Sequence, residues 1–240
     1  FAQLFSSASI SMVIAFSSFR ARPRLACVAA NMSCKMVRYL SQKASGGPAL
    51  KSGQIYYWQV RAWDGSDAPT AWSRVATWEM GLLDPADWKA SWSEPTGQTD
   101  SRADPSPMLR REFVLKGVVR QARAYVTSHG LYEMVLNGRR VGDEGLTPGW
   151  TSYNKRLPSQ PYDVTSMLKK GPNAVGVTLG NGWYRGPMTW DYRRNIYGNR
   201  VGLLLQIRVT YANGREEIIG SDQQWKATPG PVLMSDIYDG

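Results

Sequence analysis

The sequence contains very little histidine and cysteine. Among its 240 residues there is one histidine, His129, and there are two cysteines, Cys27 and Cys34. Without a second histidine, a metal site with two imidazole ligands cannot form. We assign His129, which precedes Gly130, a structural role at the end of a strand. The six residues between the cysteines and the lack of a histidine pair predict free thiols or one small disulfide, and no zinc site.

Two further absences restrict the partners of the chain. No stretch of eighteen or more apolar residues occurs, so the sequence predicts no membrane-spanning helix. The first 50 residues contain six Lys or Arg and no acidic residue, whereas the other 190 carry 23 bases and 19 acids. A nucleic-acid-binding protein concentrates positive charge on a recognition element. Here most of the net charge of +10 lies in an unusual leader, and we therefore exclude nucleic acid as a partner.

The leader, residues 1–44, differs in character from everything after it. It lacks an initial methionine, holds both cysteines and shows little strand periodicity. A basic cluster follows its apolar part, which is the reverse of the order in a signal peptide. Our hypothesis is that this segment is non-native or out of frame. Reading the other two frames of the encoding DNA tests it, because a strand-like native segment should then appear there.

From residue 45 onward the composition is typical of a turn-rich, all-β protein. The whole chain has 23 Gly, 14 Pro, ten Trp and twelve Tyr. Period-two alternation predicts strands over residues 54–63 and 72–80, which we interpret as the end of a fibronectin-type sandwich. Residues 83–107 are rich in turn formers and predict a linker. A second β-domain over residues 108–240 follows, with strands predicted at 108–115, 118–128, 201–210 and 216–220.

The centre of the second domain has the clearest local signals. An apolar run ends at Asn137-Gly138, which favours a two-residue type I′ turn because both residues need positive φ. Asp163 is suited to begin a helical turn that ends at Gly171. Residues 173–179 alternate in a way that predicts a buried strand. That strand leads into Gly180-Asn181-Gly182-Trp183-Tyr184.

Several blocks in this region carry a resemblance to a known family. They are Leu136-Asn137-Gly138, Leu146-Thr147-Pro148-Gly149-Trp150-Thr151, Tyr153 with Arg156, Tyr162-Asp163-Val164-Thr165 and Leu179-Gly180-Asn181-Gly182-Trp183-Tyr184. In this order they closely resemble the N-terminal β-sandwich region of bacterial α-L-rhamnosidases of the glycoside hydrolase family 78 type. The resemblance covers roughly residues 45 to 240. It implies a fibronectin-III-like sandwich remnant over residues 45–82, followed by a jelly-roll or galactose-binding-like β-sandwich over residues 108–240.

The resemblance also implies that catalysis belongs elsewhere. In the rhamnosidases the catalytic acids lie in a helical barrel that follows the β-modules, and no helical-barrel pattern occurs in this sequence. Asp143 and Glu144 are the adjacent acids on the return of the hairpin. Their side chains would diverge on a strand, whereas a glycosidase needs two carboxylates facing one sugar. We therefore predict solvated turn charges, no catalytic residue and a fragment that is inactive by itself.

Six residues are candidates for contact with a sugar. Amide side chains suit vicinal hydroxyls, aromatic rings suit the apolar face of a sugar, and arginine adds donors. The candidates are Asn137, Asn181, Trp183, Tyr184, Arg185 and Trp190, with Tyr192 and Tyr197 extending the aromatic surface. We place Asn137 and Asn181 at one edge of the fold. Turn chemistry explains Asn137 equally well, and residues 185–200 are also candidates for docking on the catalytic barrel.

In related modules that bind rhamnose with the help of calcium, the resemblance implies an acidic residue beside the asparagine of the Asn-Gly-Trp block. Gly180 stands at that place. Because Ca²⁺ prefers carboxylate oxygens, this departure argues against calcium, and we predict neither a metal site nor another cofactor.

Three functions remain open. The first, which we favour, is the non-catalytic N-terminal portion of an α-L-rhamnosidase-like glycoside hydrolase, which supports the barrel and contacts rhamnose-containing glycans. The second is a stand-alone carbohydrate-binding module. The third is a structural or adhesion sandwich without a sugar ligand. The expected partners are a glycan and a C-terminal catalytic domain, and the resemblance implies a secreted or periplasmic protein.

Overall fold

The computed structural model describes residues 10–17, 33–34, 49–63, 69–99 and 102–239. The chain divides into two compact units, Phe1–Leu83 and Asp84–Gly240. Almost all of the regular structure is strand, so the prediction of an all-β protein is confirmed. No helix within these described ranges has the length and apolar character needed to cross a bilayer.

The first unit contains a four-stranded antiparallel sheet. Its strands are β1 (Ile10–Ser17), β2 (Ser33–Cys34), β3 (Ile55–Trp63) and β4 (Ala76–Glu79), in the order β2-β1-β3-β4. The hairpin of β3 and β4 agrees with the two predicted strands, although β4 is shorter than expected. Tyr56 anchors this unit, since it is 1% exposed and its hydroxyl accepts a hydrogen bond from the Lys51 N–H at 2.8 Å.

Strand β1 lies inside the segment predicted to be an atypical leader. It pairs with β3 from Ser11, opposite Trp63, to Ser17, opposite Tyr57. The sequence of β1 is largely apolar without alternation, which is why the period-two test did not detect it. Whether the leader is native stays a prediction. Cys27 lies outside the described residues, and so does the side chain of Cys34.

The second unit is a sandwich of two antiparallel sheets. A five-stranded sheet has the order β13-β5-β10-β7-β8, and a four-stranded sheet has the order β12-β11-β6-β9. The strand bounds are β5 Pro107–Leu115, β6 Val119–His129, β7 Leu131–Leu136, β8 Arg139–Arg140, β9 Gln160–Asp163, β10 Gly171–Gly180, β11 Gly202–Tyr211, β12 Glu216–Gly220 and β13 Lys226–Pro229. The short helix α1 (Gly182–Arg185) follows β10, and 3-10 turns occupy Pro85–Asp87, Thr165–Met167 and Ile237–Asp239.

Alternating apolar residues build the core between the two sheets. On β10 every second residue from Asn173 to Leu179 is buried. On β11 the apolar residues buried at every second position are Leu203, Leu205, Ile207, Val209 and Tyr211, and Gly202 and Gln206 are buried as well. Burial of one such side chain contributes about 1.5–3 kcal/mol to folding. The inner faces carry Leu109, Phe113 and Leu115 from β5, Ala122, Ala124 and Val126 from β6, Val175, Val177 and Leu179 from β10, and Leu203, Leu205, Ile207 and Val209 from β11.

The turn predictions agree with the structure. Asn137 and Gly138 have φ values of 51° and 79°, as the type I′ turn between β7 and β8 requires. The helical turn predicted after Asp163 is the 3-10 turn Thr165–Met167. Its N-cap residue is Val164, which forms no side-chain cap bond, and the Asp163 carboxylate accepts from the Thr165 N–H at 3.0 Å. The turn ends at Met167, before the expected end at Gly171.

The segment predicted to be a linker has extensive contacts within the second unit. Ser93 and Leu203 form a bridge beside the first half of β11, where β12 does not reach. The Ser91 N–H donates to the Ser221 carbonyl at 2.8 Å, and the Lys89 N–H donates to Gln206 Oε1 at 2.5 Å. This segment therefore extends the four-stranded sheet and brings Trp92 to the end of the sandwich at which β10 finishes.

Candidate functional site

The structure separates the two asparagines that we expected at one edge of the fold. Asn137 follows β7 and its N–H donates to the Ala174 carbonyl near the start of β10. Asn181 follows the last residue of β10. At about 3.3 Å per residue, the two positions are roughly 20 Å apart along the strand. The expectation of a shared edge is wrong, because the register of β7 on β10 places the hairpin turn at the other end of the sheet.

Asn137 uses its side chain inside the protein. Its Nδ2 donates to the Met167 carbonyl and to Asn173 Oδ1, both at 2.8 Å, and its Oδ1 accepts from the Ala174 N–H at 2.9 Å. These contacts tie the hairpin turn to the 3-10 turn and to β10. A shallow depression of about 380 Å³ lies beside Asn137 and Asn173. The bonds explain the residue structurally, and its role in sugar binding stays a prediction.

Asn181 lies beside a buried ion pair. The residue is 4% exposed, and its Nδ2 donates to Asp236 Oδ1 at 2.8 Å. The same carboxylate accepts hydrogen bonds from the Arg194 guanidinium, and the Asp236 side chain is fully buried. The negative charge of Asp236 is thus already balanced by a cation.

These residues do not fit a calcium ion. Ca²⁺ takes six to eight oxygen ligands, several of them carboxylates. Gly180 supplies no side-chain oxygen, and the one carboxylate beside Asn181 is paired with Arg194. Across the described parts of the chain, no group of three or more His, Cys, Asp or Glu side chains is arranged to hold a metal.

A cluster of aromatic rings occupies the end of the sandwich at which β10 finishes. The aromatic cluster consists of Trp92, His129, Trp150, Tyr153, Trp183, Tyr184, Tyr197 and Tyr238. Trp150 and Trp183 lie with their ring centroids 6.2 Å apart and their planes within 16° of parallel. Hydrogen bonds fix both indoles, since Trp183 Nε1 donates to the Tyr238 hydroxyl at 3.1 Å and Trp150 Nε1 donates to the Tyr197 hydroxyl at 3.4 Å. Trp150 is 54% exposed, so this pair presents aromatic surface to solvent.

The inner part of the aromatic cluster is a three-ring stack around His129. The imidazole lies between the rings of Trp92, at a centroid distance of 4.0 Å, and Tyr184, at 4.6 Å. Burial lowers the pKa of His129 against the opposing effect of the Glu94 carboxylate. The imidazole is therefore held neutral in this apolar stack, in agreement with the structural role predicted for it.

Tyr153 connects the stack to the exposed pair. Its ring meets the rings of Tyr184 and Tyr197 edge-on at 5.4 and 4.9 Å. Burial, together with the neighbouring Tyr197, raises the pKa of Tyr153 to about 12. The phenol therefore stays protonated, and it donates a hydrogen bond to the Gly149 carbonyl at 2.8 Å.

Arg185 is buried and its guanidinium binds the protein itself. The residue is 1% exposed and lies at the end of α1. It donates to the Thr99 carbonyl at 2.6 Å, to Gln98 Oε1 at 3.2 Å and to the Asp104 carboxylate. Burial alone would raise the pKa of Asp104, but hydrogen bonds from Thr99 and Arg185 lower it. Arg185 therefore fastens Gln98, Thr99 and Asp104 to the end of the sandwich. Its role in contact with a sugar stays a prediction.

Trp190 and the hairpin acids lie in open surroundings. Trp190 is 103% exposed, and no ring contact involves it among the residues that the structure describes. Asp143 and Glu144 are both exposed in the loop after β8. That position agrees with solvated turn charges.

The sequence analysis assigned no site role to several members of the aromatic cluster. Trp150 and Tyr153 lie in two neighbouring blocks of the family resemblance, which is the signal that could have identified them. Trp92 comes from the predicted linker and Tyr238 from the last residues of the chain. Their convergence depends on the packing of segments about 30 to 55 residues apart in the chain, which no local pattern contains.

Two family models match the chain. A model described as the α-L-rhamnosidase N-terminal domain matches residues 117–240. A model described as a Rha78A-like N-terminal immunoglobulin domain matches residues 37–84. The first model matches most of the second structural unit, and the second model matches the latter half of the first unit.

Individual relatives give the same result. An α-L-rhamnosidase of Formosa agariphila is 38% identical over 204 residues, covering 81% of this chain and 22% of that protein. The crystal structure of an Aspergillus terreus α-L-rhamnosidase has a TM-score of 0.74 and 35% identity, and it covers 100% of this chain and 28% of its own. The Dictyoglumus thermophilum α-L-rhamnosidase structure has a TM-score of 0.71 and 29% identity, with coverage of 99% and 28%. This chain thus spans about a quarter of the length of these proteins.

Proposed function

Because the chain belongs to the family of α-L-rhamnosidase N-terminal domains, we propose that it serves as the non-catalytic N-terminal β-sandwich portion of an α-L-rhamnosidase-like glycoside hydrolase. The observation that carries this proposal is the match of residues 117–240 to the N-terminal domain model. This function is the first of the three that the sequence analysis left open, and the one that it favoured.

The carboxylates around the aromatic cluster support a non-catalytic role. A glycosidase needs one carboxylic acid with a raised pKa and a second carboxylate roughly 5–10 Å away across the sugar. Asp104, Asp236 and Glu94 are each paired with an arginine, namely Arg185, Arg194 and Arg200. Hydrogen bonds from Thr99 and Arg185 lower the pKa of Asp104, which opposes proton donation by that carboxyl.

The proposed role is a rigid support for the catalytic part of such an enzyme. The fully buried core between the two sheets gives the second unit a fixed shape, and so do the bonds of Arg185 to Gln98, Thr99 and Asp104. A rigid scaffold holds a neighbouring domain without loss of conformational entropy on contact.

The test uses two separately produced proteins. One is this chain, and the other is the part of the Formosa agariphila relative that lies outside the matched region. Calorimetric titration should show saturable association, with the relative's own N-terminal region as the positive control. The chain alone should release no product from an aryl rhamnoside. Hydrolysis by the chain alone, or failure to associate where the positive control associates, would contradict the proposal.

The Trp150–Trp183 pair favours carbohydrate binding as a second candidate function. The half-exposed Trp150 and the partly buried Trp183, with near-parallel rings, offer an apolar surface for the C–H face of a sugar. The Tyr197 and Tyr238 hydroxyls lie beside it. Of the six predicted contact residues, Trp183 has the geometry that best suits this role. Rhamnose-containing glycans are the ligand class that this candidate implies.

A rhamnose titration followed by tryptophan fluorescence tests the second candidate. We expect a saturable change that Trp183→Ala abolishes and that does not depend on calcium. Trp72→Ala, a partly exposed tryptophan of the first unit, is the matched control and should titrate like the parent. A flat titration in the parent protein would exclude this candidate and leave the scaffold role intact.

A further inference from the structure

Residues 188–193 form a tightly hydrogen-bonded hairpin, which we call the Trp190 hairpin. The Met188 N–H donates to the Arg193 carbonyl at 3.1 Å, and the Tyr192 N–H donates to the Thr189 carbonyl at 2.9 Å. The Thr189 hydroxyl donates to the Asp191 carboxylate and accepts from the Arg193 N–H. This Thr189 hydrogen bond is the main cause that lowers the pKa of Asp191, so the carboxylate stays ionised as an acceptor. The hairpin is thus organised by its own side chains.

The base of the Trp190 hairpin is fixed to the sandwich. Arg194 forms the ion pair with the fully buried carboxylate of Asp236. The Asn195 N–H donates to the carbonyl of Arg185, the last residue of α1, at 3.1 Å. Further along, Arg200 Nε donates to Glu94 Oε2 at 2.9 Å. Because its base is held at these points, the loop keeps its tip in a defined position on the surface.

The tip carries the most exposed large apolar side chain among the described residues. Trp190 is 103% exposed and Tyr192 is 62% exposed. Exposed apolar surface that is held in an ordered conformation marks an interaction site more often than scattered single residues do. Tryptophan, tyrosine and arginine are also the residues most enriched at the energetic centres of protein interfaces. The hairpin sequence Trp190-Asp191-Tyr192-Arg193 contains all three types.

We propose that the Trp190 hairpin is the anchor through which this chain docks on the remainder of an α-L-rhamnosidase. Trp190 enters an apolar pocket of that partner, and Arg193 meets an acidic rim. This inference rests on the proposed scaffold function and names the surface that performs it.

Two observations favour a protein partner over a glycan. A projecting side chain needs a concave partner, whereas sugar and other small-ligand sites are themselves concave. Trp190 has no ring neighbour in the described structure, in contrast to the Trp150–Trp183 pair.

The length of the relatives identifies the partner, because 72–78% of their chains lies outside the matched region.

The experiment measures the affinity of the hairpin variants for the separately produced remainder of the Formosa agariphila relative. Trp190→Ala should raise the dissociation constant about thirty-fold or more, as expected when a central anchor is removed. Trp190→Phe should retain part of the affinity because it keeps an aromatic ring. Val118→Ala removes apolar surface that is 64% exposed in the turn before β6, at the opposite end of the sandwich, and should bind like the parent. All variants should melt at the parental temperature, because both side chains lie on the surface.

Each outcome decides the inference. Parental affinity in Trp190→Ala overturns it and leaves the scaffold function standing. Loss of a saturable rhamnose response in Trp190→Ala, with docking unchanged, assigns the hairpin to a glycan and also overturns it. If the parent itself fails to bind where the relative's own N-terminal region binds, the scaffold function fails and the anchor fails with it.

Discussion

The carboxylate of Asp236 lies 2.8 Å from the amide nitrogen of Asn181, although 54 residues separate the two in the chain. The same carboxylate neutralises Arg194. One buried acid therefore joins the end of β10, the loop that carries the Trp190 hairpin and the last segment of the chain. The asparagine of the Asn-Gly-Trp block has a structural partner at this point.

Removal of the Asp236 carboxylate should destabilise the second unit strongly. Asp236→Ala leaves Arg194, whose side chain is 20% exposed, and the buried Asn181 amide without their acceptor. Loss of one partner of a buried pair costs about 3–5 kcal/mol. Urea unfolding measures the change. Glu112→Ala is the control, because Glu112 pairs with Arg110 on the surface, where such pairs contribute at most about 1 kcal/mol. Equal effects in the two variants would show that the buried pair has no special importance.

Asn137 should prove important for stability through both its side chain and its backbone. Asn137→Ala removes three hydrogen bonds and places alanine at a φ of 51°, so we expect a loss of about 2–4 kcal/mol. Asn137→Gly loses the same bonds but accepts the positive φ, and it should be more stable than Asn137→Ala by about 1 kcal/mol. Thermal unfolding of both variants checks the order. The reverse order would contradict the backbone argument.

The stability of the second unit should fall as the pH decreases below about 6.5, the usual pKa of histidine. Burial lowers the pKa of His129 in the folded protein, so the unfolded chain binds a proton first as the pH decreases. This contribution is complete above the unfolded pKa and is lost as the pH falls toward the folded pKa. Asp104 and Asp163 have lowered pKa values, and their contributions disappear only below about pH 4.

A comparison with His129→Phe isolates this effect. Phenylalanine keeps a ring between Trp92 and Tyr184 but cannot take up a proton. Denaturant titrations between pH 7.5 and 5.5 should give a smaller slope for the variant, with a difference of at most about 1.4 kcal/mol per pH unit. Identical slopes would mean that His129 does not titrate in this range.

Calcium should leave the chain unchanged. Gly180 offers no side-chain ligand and Asp236 is paired with Arg194, so neither addition of Ca²⁺ nor chelation should move the melting temperature. A bound ion at 100 times its dissociation constant would stabilise the fold by about 2.7 kcal/mol, which calorimetry detects easily. A saturable rise in melting temperature would refute this expectation.

Much of the second unit could be predicted from local signals. The Asn137-Gly138 turn, the alternation in β10 and the apolar run of β11 each contain enough information in one stretch to specify an element. Strand β1 gave no such signal, because its apolar residues do not alternate and its partner β3 lies about 40 residues away. The sequence also did not reveal that residues 84–99 pack beside β11, because this edge segment has the composition of a loop.

By itself, the sequence determined the all-β class and the positions of most strands, because turn chemistry and period-two burial act between near neighbours. The family came from the resemblance carried by the ordered sequence blocks between Leu136 and Tyr184. Only the tertiary structure decided where the candidate residues lie. The register of β7 on β10 places Asn137 and Asn181 at opposite ends of the sandwich. Packing buried Arg185, enclosed His129 between Trp92 and Tyr184, and left Trp190 in solvent. These outcomes depend on contacts between distant segments, whose geometry no single stretch of the chain specifies.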